Sequence, residues 1–303
     1  MKGGERSSCT DESAIILALA FYPYQETIML SLHTNNAALS AQNSVNRTQS
    51  NLSTSMTRLS TGYRINSAMD DASGLQIATR LKAQSSGMAV AMRNTQNSTS
   101  MLQTADGALS EVSNILVRMK DLATQSADAS STTADQGAMQ SEYTALSAEI
   151  TNILSNTTFG GKKLLNGGTL AASMTFQIGA SSGEKMAVDV SGDMTTMTGS
   201  IATAAGNAMA GAANTAIDDL ADAIADVGTV RSALGAAANR LEHVHNNLSN
   251  ISTNTQAAAG RIMDVDFASE SANMTSSQML LQAGTAMLKQ SNSMSSMVMS
   301  LLQ

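Results

Sequence analysis

The chain has 303 residues, a net charge of −7, no Trp, four Phe and four Tyr, so large aromatic side chains cannot fill a thick core. Ala, Ser, Thr, Asn and Met occupy that space instead, which suits helices packed closely side by side. Lys and Arg are scattered with no basic stripe, which argues against nucleic-acid binding. No apolar run reaches the roughly 18 residues of a transmembrane helix, and a single Cys leaves no internal disulfide or thiolate cluster for a metal.

Residues 1–28 differ from the rest: they hold Cys9, Phe21, Tyr22, Pro23 and Tyr24. Lys2 and Arg6 ahead of the apolar stretch Ala14–Tyr22 are laid out like a secretory signal. However, Asp11 and Glu12 directly precede that stretch, and no small-x-small cleavage site follows it. The other readings are upstream sequence with the working start at Met29, and a genuine extension. The segment is expected to be a wrong start or disordered.

From Met29 onward there is no Pro and no Cys. Interior Pro costs a helix roughly 3 kcal/mol, so its depletion argues for long uninterrupted helices. In the first stretch Val45, Leu52 and Leu59 repeat every seven residues, with Met56 and Tyr63 at the offset positions. Leu102, Ala105, Leu109, Val112, Leu116, Met119 and Ala123 form a second seam of alternating three and four. After a polar turn near Ser130–Gly137, a further helix carries Tyr143, Leu146, Ile150 and Ile153. Phe159-Gly-Gly-Lys-Lys ends the helical pattern.

The middle of the chain changes period. Met174, Phe176 and Ile178 alternate with polar residues, as do Met186, Val188 and Val190. This predicts a β-hairpin near 172–191 around a turn at Ala180–Glu184. Residues 191–213, rich in Gly, Thr, Ala and Met, read as a low-complexity linker. Helical seams then resume: Leu220, Val227, Leu234, Leu241 and Leu248 repeat by seven, with Val230, Ala237, Val244 and Ile251 three residues on. Leu280, Met287, Met294 and Leu301 carry the repeat to the chain end. Each seam buries one narrow stripe against a partner helix. The expected fold is mainly α: a long helical bundle or coiled coil with paired N- and C-terminal helices and a small β-hairpin insert. The outer faces of the paired ends would bury against other subunits.

Two long segments carry a resemblance. Leu59–Gln84 reads LSTGYRINSAMDDASGLQIATRLKAQ, and Asn246–Asn292 reads NNLSNISTNTQAAAGRIMDVDFASESANMTSSQMLLQAGTAMLKQSN. They closely resemble the N- and C-terminal motifs of bacterial flagellins, in the right order at opposite ends. The resemblance covers Met29–Gln303. It implies a division into 29–72, the N-terminal D0 helix and joint; 73–258, the helical D1 domain; and 259–303, the C-terminal D0 helix. It places Arg64, Asn66, Asp70, Asp71, Arg261, Asp264 and Asp266 at the D0–D1 joint. The apolar seams Leu52, Met56 and Leu59, with Leu280, Met287, Met294 and Leu301, are expected to pack subunit against subunit. Within the motif Ser67 and Asp70 have capping-box spacing, Asp70 and Asp71 suit the positive end of the next helix, and Gly62 and Gly74 relieve backbone crowding. Gln303 stands where the family commonly ends in Arg.

The short middle lacks the family's variable outer domains, which implies a thin filament and a compact form most like lateral flagellins. The implied function is a structural subunit, not an enzyme, that polymerises into the flagellar filament for swimming or swarming. The implied partners are other flagellin subunits, an export chaperone on Met279–Leu302, and the filament cap and hook-junction proteins. Vertebrate Toll-like receptor five is a further implied partner, at Arg118, Leu122 and Glu149. The implied location is extracellular, after unfolded export through the flagellar secretion channel led by a segment near Leu30–Thr48.

The alternatives are a hook–filament junction protein and a secreted effector or enzyme on a coiled-coil scaffold. No catalytic constellation supports the latter. No cofactor is implied: His243 and His245 point roughly 200° apart on a helix, no H-E-x-x-H occurs, and Gly160-Gly161 and Gly167-Gly168 read as turns. The Asn51-Leu-Ser53 sequon sits on a helical seam, and O-linked sugar on residues 180–213 is not readable.

Overall fold

The computed structural model describes residues 35–301. The expectations for 1–28, for the first residues of Leu30–Thr48 and for the side chain of Leu301 fall outside the described residues. The helices, in chain order, are α1 (Asn36–Thr61), α2 (Ala72–Ser126), α3 (Thr133–Asn156), α4 (Ser191–Ala205), α5 (Met209–Met263) and α6 (Phe267–Leu301). Between α3 and α4 lie the strands β1 (Thr158–Phe159), β2 (Lys162–Lys163), β3 (Met174–Gln177) and β4 (Lys185–Val188). The chain forms two compact units. One takes α1 and α6; the other, Tyr63–Asp264, takes everything between.

In the larger unit α2 and α5, each of 55 residues, run antiparallel. Arg231 of α5 meets Asp106 at 2.8 Å, and Gln256 donates to Ser85 Oγ at 3.1 Å. The expected seam of α2 is fully buried from Leu102 to Ala123, and Leu220, Val227, Val230, Leu234 and Leu241 of α5 are buried opposite. Toward the end of α5 the seam slips by one residue: Ile251 is exposed and Ser252 is buried. An α-helix of 3.6 residues per turn drifts about 20° per heptad against a strict seven-residue repeat, so the inward position moves on. Buried Thr95 satisfies its hydroxyl by donating to Ala91 O of its own helix, at 2.7 Å.

Helix α3 begins earlier than the turn expected near Ser130–Gly137 would allow. Thr132 and Asp135 form a reciprocal capping box, so Gly137 is already helical. Hydrogen bonds from the Thr132 side chain and backbone hold the Asp135 carboxyl below its usual range. Helix α3 packs against both α2 and α5 and buries Met139, Tyr143, Ile150 and Leu154. Then Gly160 and Gly161, at φ 57° and 81°, make the two-residue turn that lets β1 and β2 pair, since a turn of this kind needs positive φ at both central positions.

The predicted hairpin is present. Met174 pairs with Val188 and Phe176 with Met186, so the apolar alternate residues share one face. Met186 and Val188 are buried against the helical core, with Met174 and Phe176 partly so. Its turn is clasped by side chains: Gln177 Nε2 donates to Gly179 O and Ser181 O, and Glu184 Oε2 accepts from Ser181 N–H at 2.9 Å.

Residues 191–213 are not a linker. Ser191–Ala205 is the helix α4, and it buries Met194, Met197, Ile201 and Ala204. Their spacing of three, four and three is a helical stripe, obscured by the surrounding Gly, Thr and Ala. Helix α4 packs on α5, and the Tyr143 hydroxyl donates to Ala204 O at 2.5 Å, satisfying a carbonyl at the helix end.

Two measurements test this core. Met197→Ala should cost about 2–5 kcal/mol in thermal or denaturant unfolding; a flexible linker would lose less than about 0.5 kcal/mol. Burial first, and then the Asp219 charge, push the Tyr143 hydroxyl up from 10.0 to about 12. A raised pKa means the stabilisation is fully present below pH 10 and is lost as pH rises through about 12. Alkaline stability curves of wild type should fall through this window, and Tyr143→Phe should flatten that component.

Candidate functional site

The smaller unit holds most of the residues expected to pack between subunits. Helices α1 and α6 run antiparallel: Asn35 Nδ2 donates to Ser291 O and Oγ, each at 3.2 Å, and Arg58 Nη1 lies 3.8 Å from Glu270 Oε2. The face of α1 turned to α6 carries Val45, Thr48, Leu52, Ser55 and Leu59, all buried or half-buried. The expected offset residues Met56 and Tyr63 are exposed; Thr48 and Ser55 take the inward offset instead. On α6 the inward residues are Glu270, Met274, Ser277, Leu281, Gly284, Leu288 and Ser291, an unbroken alternation of four and three. Gly284 is needed there, because a Cβ would sit 2.7 Å from Val45 Cγ2.

The two seams expected to pack between subunits differ in exposure. Leu52 is 8% exposed, its side chain turned toward α6, and Leu59 is half-buried. The repeat Leu280, Met287, Met294 lies one residue away from the inward stripe and faces outward, at 59%, 67% and 59% exposed. Helix α6 therefore carries two parallel apolar stripes. The inner one is covered by α1. The outer one, with exposed Met56 and Leu39 on α1, has no cover among the described residues of this unit. The inner stripe went unread because apolar period seven fits both; its mark is the small residue every seventh position, at Ser277, Gly284 and Ser291.

The two motif turns are built by acids. Helix α1 ends at Gly62, whose φ of 76° is the left-handed cap conformation that glycine adopts without strain. In the smaller unit Val265 N–H then donates to Gly62 O at 3.0 Å, and Asp266 Oδ1 caps α6 by accepting from Ala268 N–H at 3.1 Å. In the larger unit Arg64 reaches back to the end of α5. Its N–H donates to Met263 O at 2.6 Å and its guanidinium to Ile262 O at 2.8 Å. Arg261 sits in the last turn of α5 and Asp264 is its C-cap, where a cation suits the helix dipole.

The expected Ser67–Asp70 capping box is not formed. Asp70 Oδ2 instead closes the turn before the helix, accepting from Asn66 N–H, Ser67 N–H and Ser67 Oγ–H at 3.1, 2.8 and 3.1 Å. Asn66 Nδ2 adds a bond to Tyr63 O at 2.8 Å. The N-cap of α2 is Asp71, which accepts from Gly74 N–H at 2.8 Å. A Cβ at Gly74 would meet Ile65 Cδ1 at 2.8 Å and the Asp71 carboxylate, so this turn leaves no room for a side chain. Ser67 has capping spacing, but the chain turns once more before the helix starts.

The residues expected at the receptor contact separate. Arg118 is exposed and its Nη2 pairs with Glu142 Oε1 at 2.7 Å. Glu149, one heptad beyond Glu142 on α3, is exposed. Leu122, however, is 3% exposed and part of the core with Met119 and Ala123, so it offers no surface. Among the described residues no group of three or more His, Cys, Asp or Glu could hold a metal, and no helix is long and apolar enough to cross a membrane.

Asp71→Ala should destabilise the larger unit by about 0.5–2 kcal/mol, the cost of an N-cap. Thermal unfolding of Ser67→Ala should show a smaller loss, since Ser67 caps no helix.

Comparison with known proteins agrees with the motif positions. The bacterial flagellin N-terminal helical region matches residues 32–169, and the bacterial flagellin C-terminal helical region matches residues 217–302. Flagellin A of Vibrio anguillarum is 44% identical over 162 residues, 54% of this chain and 42% of that protein. Polar flagellin C of Vibrio parahaemolyticus is 43% identical over the same shares. The chain thus spans less than half the length of the curated relatives it matches. Among solved structures, the crystal structure of Bacillus cereus flagellin is 34% identical, with 55% of this chain and 94% of that chain covered and a TM-score of 0.43. A protein assigned as flagellar hook-associated from Vibrio parahaemolyticus is 16% identical, with 64% and 100% covered and a TM-score of 0.51; that likeness concerns the fold alone.

Proposed function

Because the chain belongs to the bacterial flagellin family, we propose that it is a structural, non-enzymatic subunit that polymerises with copies of itself into an extracellular flagellar filament for swimming or swarming. The observation that carries this is the outward stripe Leu280, Met287 and Met294. Fully burying such a side chain is worth about 1.5–3 kcal/mol, so covering three in every subunit would supply several kcal/mol per addition. The stripe lies about 100° round the helix from the stripe that α1 already covers. A neighbour that covers it through a different surface of its own makes a heterologous contact, which repeats as an open filament where the rotation does not close a ring. The junction-protein alternative requires an end that stops this repeat, and nothing in the two units favours it.

The finer partners follow from the same surfaces. Before assembly the stripe would be hidden by an export chaperone on α6, and the subunit would leave unfolded through the flagellar secretion channel to add beneath the cap, on a filament joined to the hook by junction proteins. The motif residues Arg64, Asn66, Asp70, Asp71, Arg261, Asp264 and Asp266 would set where the inner layer of the filament gives way to the next. For recognition of free monomer by Toll-like receptor five, Arg118 and Glu149 remain as surface groups and Leu122 does not.

Purified protein, heat-dissociated and re-cooled, should give micrometre-long filaments by negative-stain microscopy. Short closed oligomers would point to a junction protein. Met287→Asp should abolish elongation while leaving the circular-dichroism helix signal intact, because the side chain is exposed on the surface of the smaller unit; unimpaired elongation of this variant would overturn the role of the stripe.

A further inference from the structure

The outer stripe of α6 is apolar, and most of its exposed members are thioethers. Met279, Met287 and Met294 are 60%, 67% and 59% exposed, whereas Met119, Met194 and Met197 in the larger unit are 1%, 2% and 0% exposed. Among the described residues the neighbours of the three do not cover them: Leu280 is itself exposed, and Leu281 and Leu288 turn the other way, toward α1. Access to the sulfur governs thioether oxidation, and the sulfoxide it yields is polar where the thioether was not. The chain also lacks Trp and holds one Cys against 21 Met, so thioethers are its main stock of oxidisable side chains.

We propose that Met279, Met287 and Met294 form a reversible oxidation site that decides whether a free subunit can join the polymer. The reactant is a peroxide. Hydrogen peroxide transfers one oxygen atom to the methionine sulfur; the O–O bond breaks, a new S–O bond forms, the sulfur is oxidised by two electrons, and the peroxide is reduced to water. The proposal rests on the polymer reading above, because the cost of a sulfoxide arises when the stripe must enter an apolar contact. It also carries a direction. The site is open in the free subunit and covered in the polymer, so peroxide blocks addition of new subunits and spares those already assembled. Sulfoxide is returned to thioether by methionine sulfoxide reductases, which makes the block reversible.

The test compares free subunits and assembled filaments exposed to the same hydrogen peroxide, with peptide mass spectrometry locating each sulfoxide. In free subunits Met279, Met287 and Met294 should oxidise before Met119, Met194 and Met197; in filaments the three should be protected. Oxidised subunits should elongate seeds about tenfold more slowly or worse, the factor expected from losing one methionine's share of apolar burial. Reductase treatment should restore the rate. In a variant with Met279→Leu, Met287→Leu and Met294→Leu, which keeps apolarity and near-equal volume, peroxide should leave the elongation rate at that variant's own untreated value. Normal elongation by subunits shown to carry the three sulfoxides, no recovery after reductase, or equal peroxide sensitivity of the leucine variant would each overturn the proposal. Failure of untreated wild type to elongate seeds would instead overturn the polymer reading itself.

Discussion

A pair of helices can cover one side of each member, and α6 is apolar on two. Its inward stripe meets α1 across small residues, with Gly284 against Val45 and Ser291 against Asn35, and the outward stripe remains in water. Everything functional follows from this mismatch between what the sequence makes apolar and what the chain can cover alone. The larger unit has the opposite character. There α2 meets α5, α3 and β3, while α5 also carries α4, and the seams from Leu102 to Ala123 and Leu220 to Leu241 are closed.

The difference also explains why the two units stabilise differently. Long α2 and α5 have few large aromatic residues to bury, so their stability comes from many small increments along an unbroken interface, reinforced by Asp106–Arg231 and by the Tyr143 hydroxyl on the end of α4. Helices α1 and α6 touch only along one line, and two polar residues, Ser55 and Glu270, are buried where a wholly apolar seam would be stickier. The Glu270 carboxylate faces Arg58; an ion pair so placed fixes alignment more than it adds stability, since desolvation offsets much of the attraction. Seam position on a two-helix contact needs such a marker, because a slide by two turns, seven residues, would still match small residue to small residue.

Much of the fold was legible because heptad spacing, Pro depletion and strand alternation are local signals. The helices, the hairpin pairing Phe176 with Met186, and the glycine turn at Gly160-Gly161 all follow from residues close in sequence. Three features were not legible, each for a physical reason. Helix α4 hid because Met194, Met197, Ile201 and Ala204 form only one short stripe among residues typical of loops. The choice between the stripes of Leu280 and Leu281 depends on which side α1 occupies, a tertiary fact. Leu122 looked like surface because it is four residues from exposed Arg118, but at the edge of a buried stripe 40° of rotation is enough to move a side chain into the core. For the site the same limit holds: Asp71 rather than Asp70 caps α2, and only the extra turn at Asn66–Asp70 distinguishes them.

The clasped turn between β3 and β4 sets where this chain can lengthen. Gln177 and Glu184 hold its two ends from below, Ser182 and Gly183 are exposed, and nothing lies within 4 Å of a Cβ placed on Gly183. Extra residues spliced there would leave the strand register and the buried Met186 and Val188 untouched, and loop-closure entropy grows only slowly with length. The tip is therefore a natural grafting point: a foreign peptide or whole folded module could be carried on each copy, making the protein a scaffold for repetitive display.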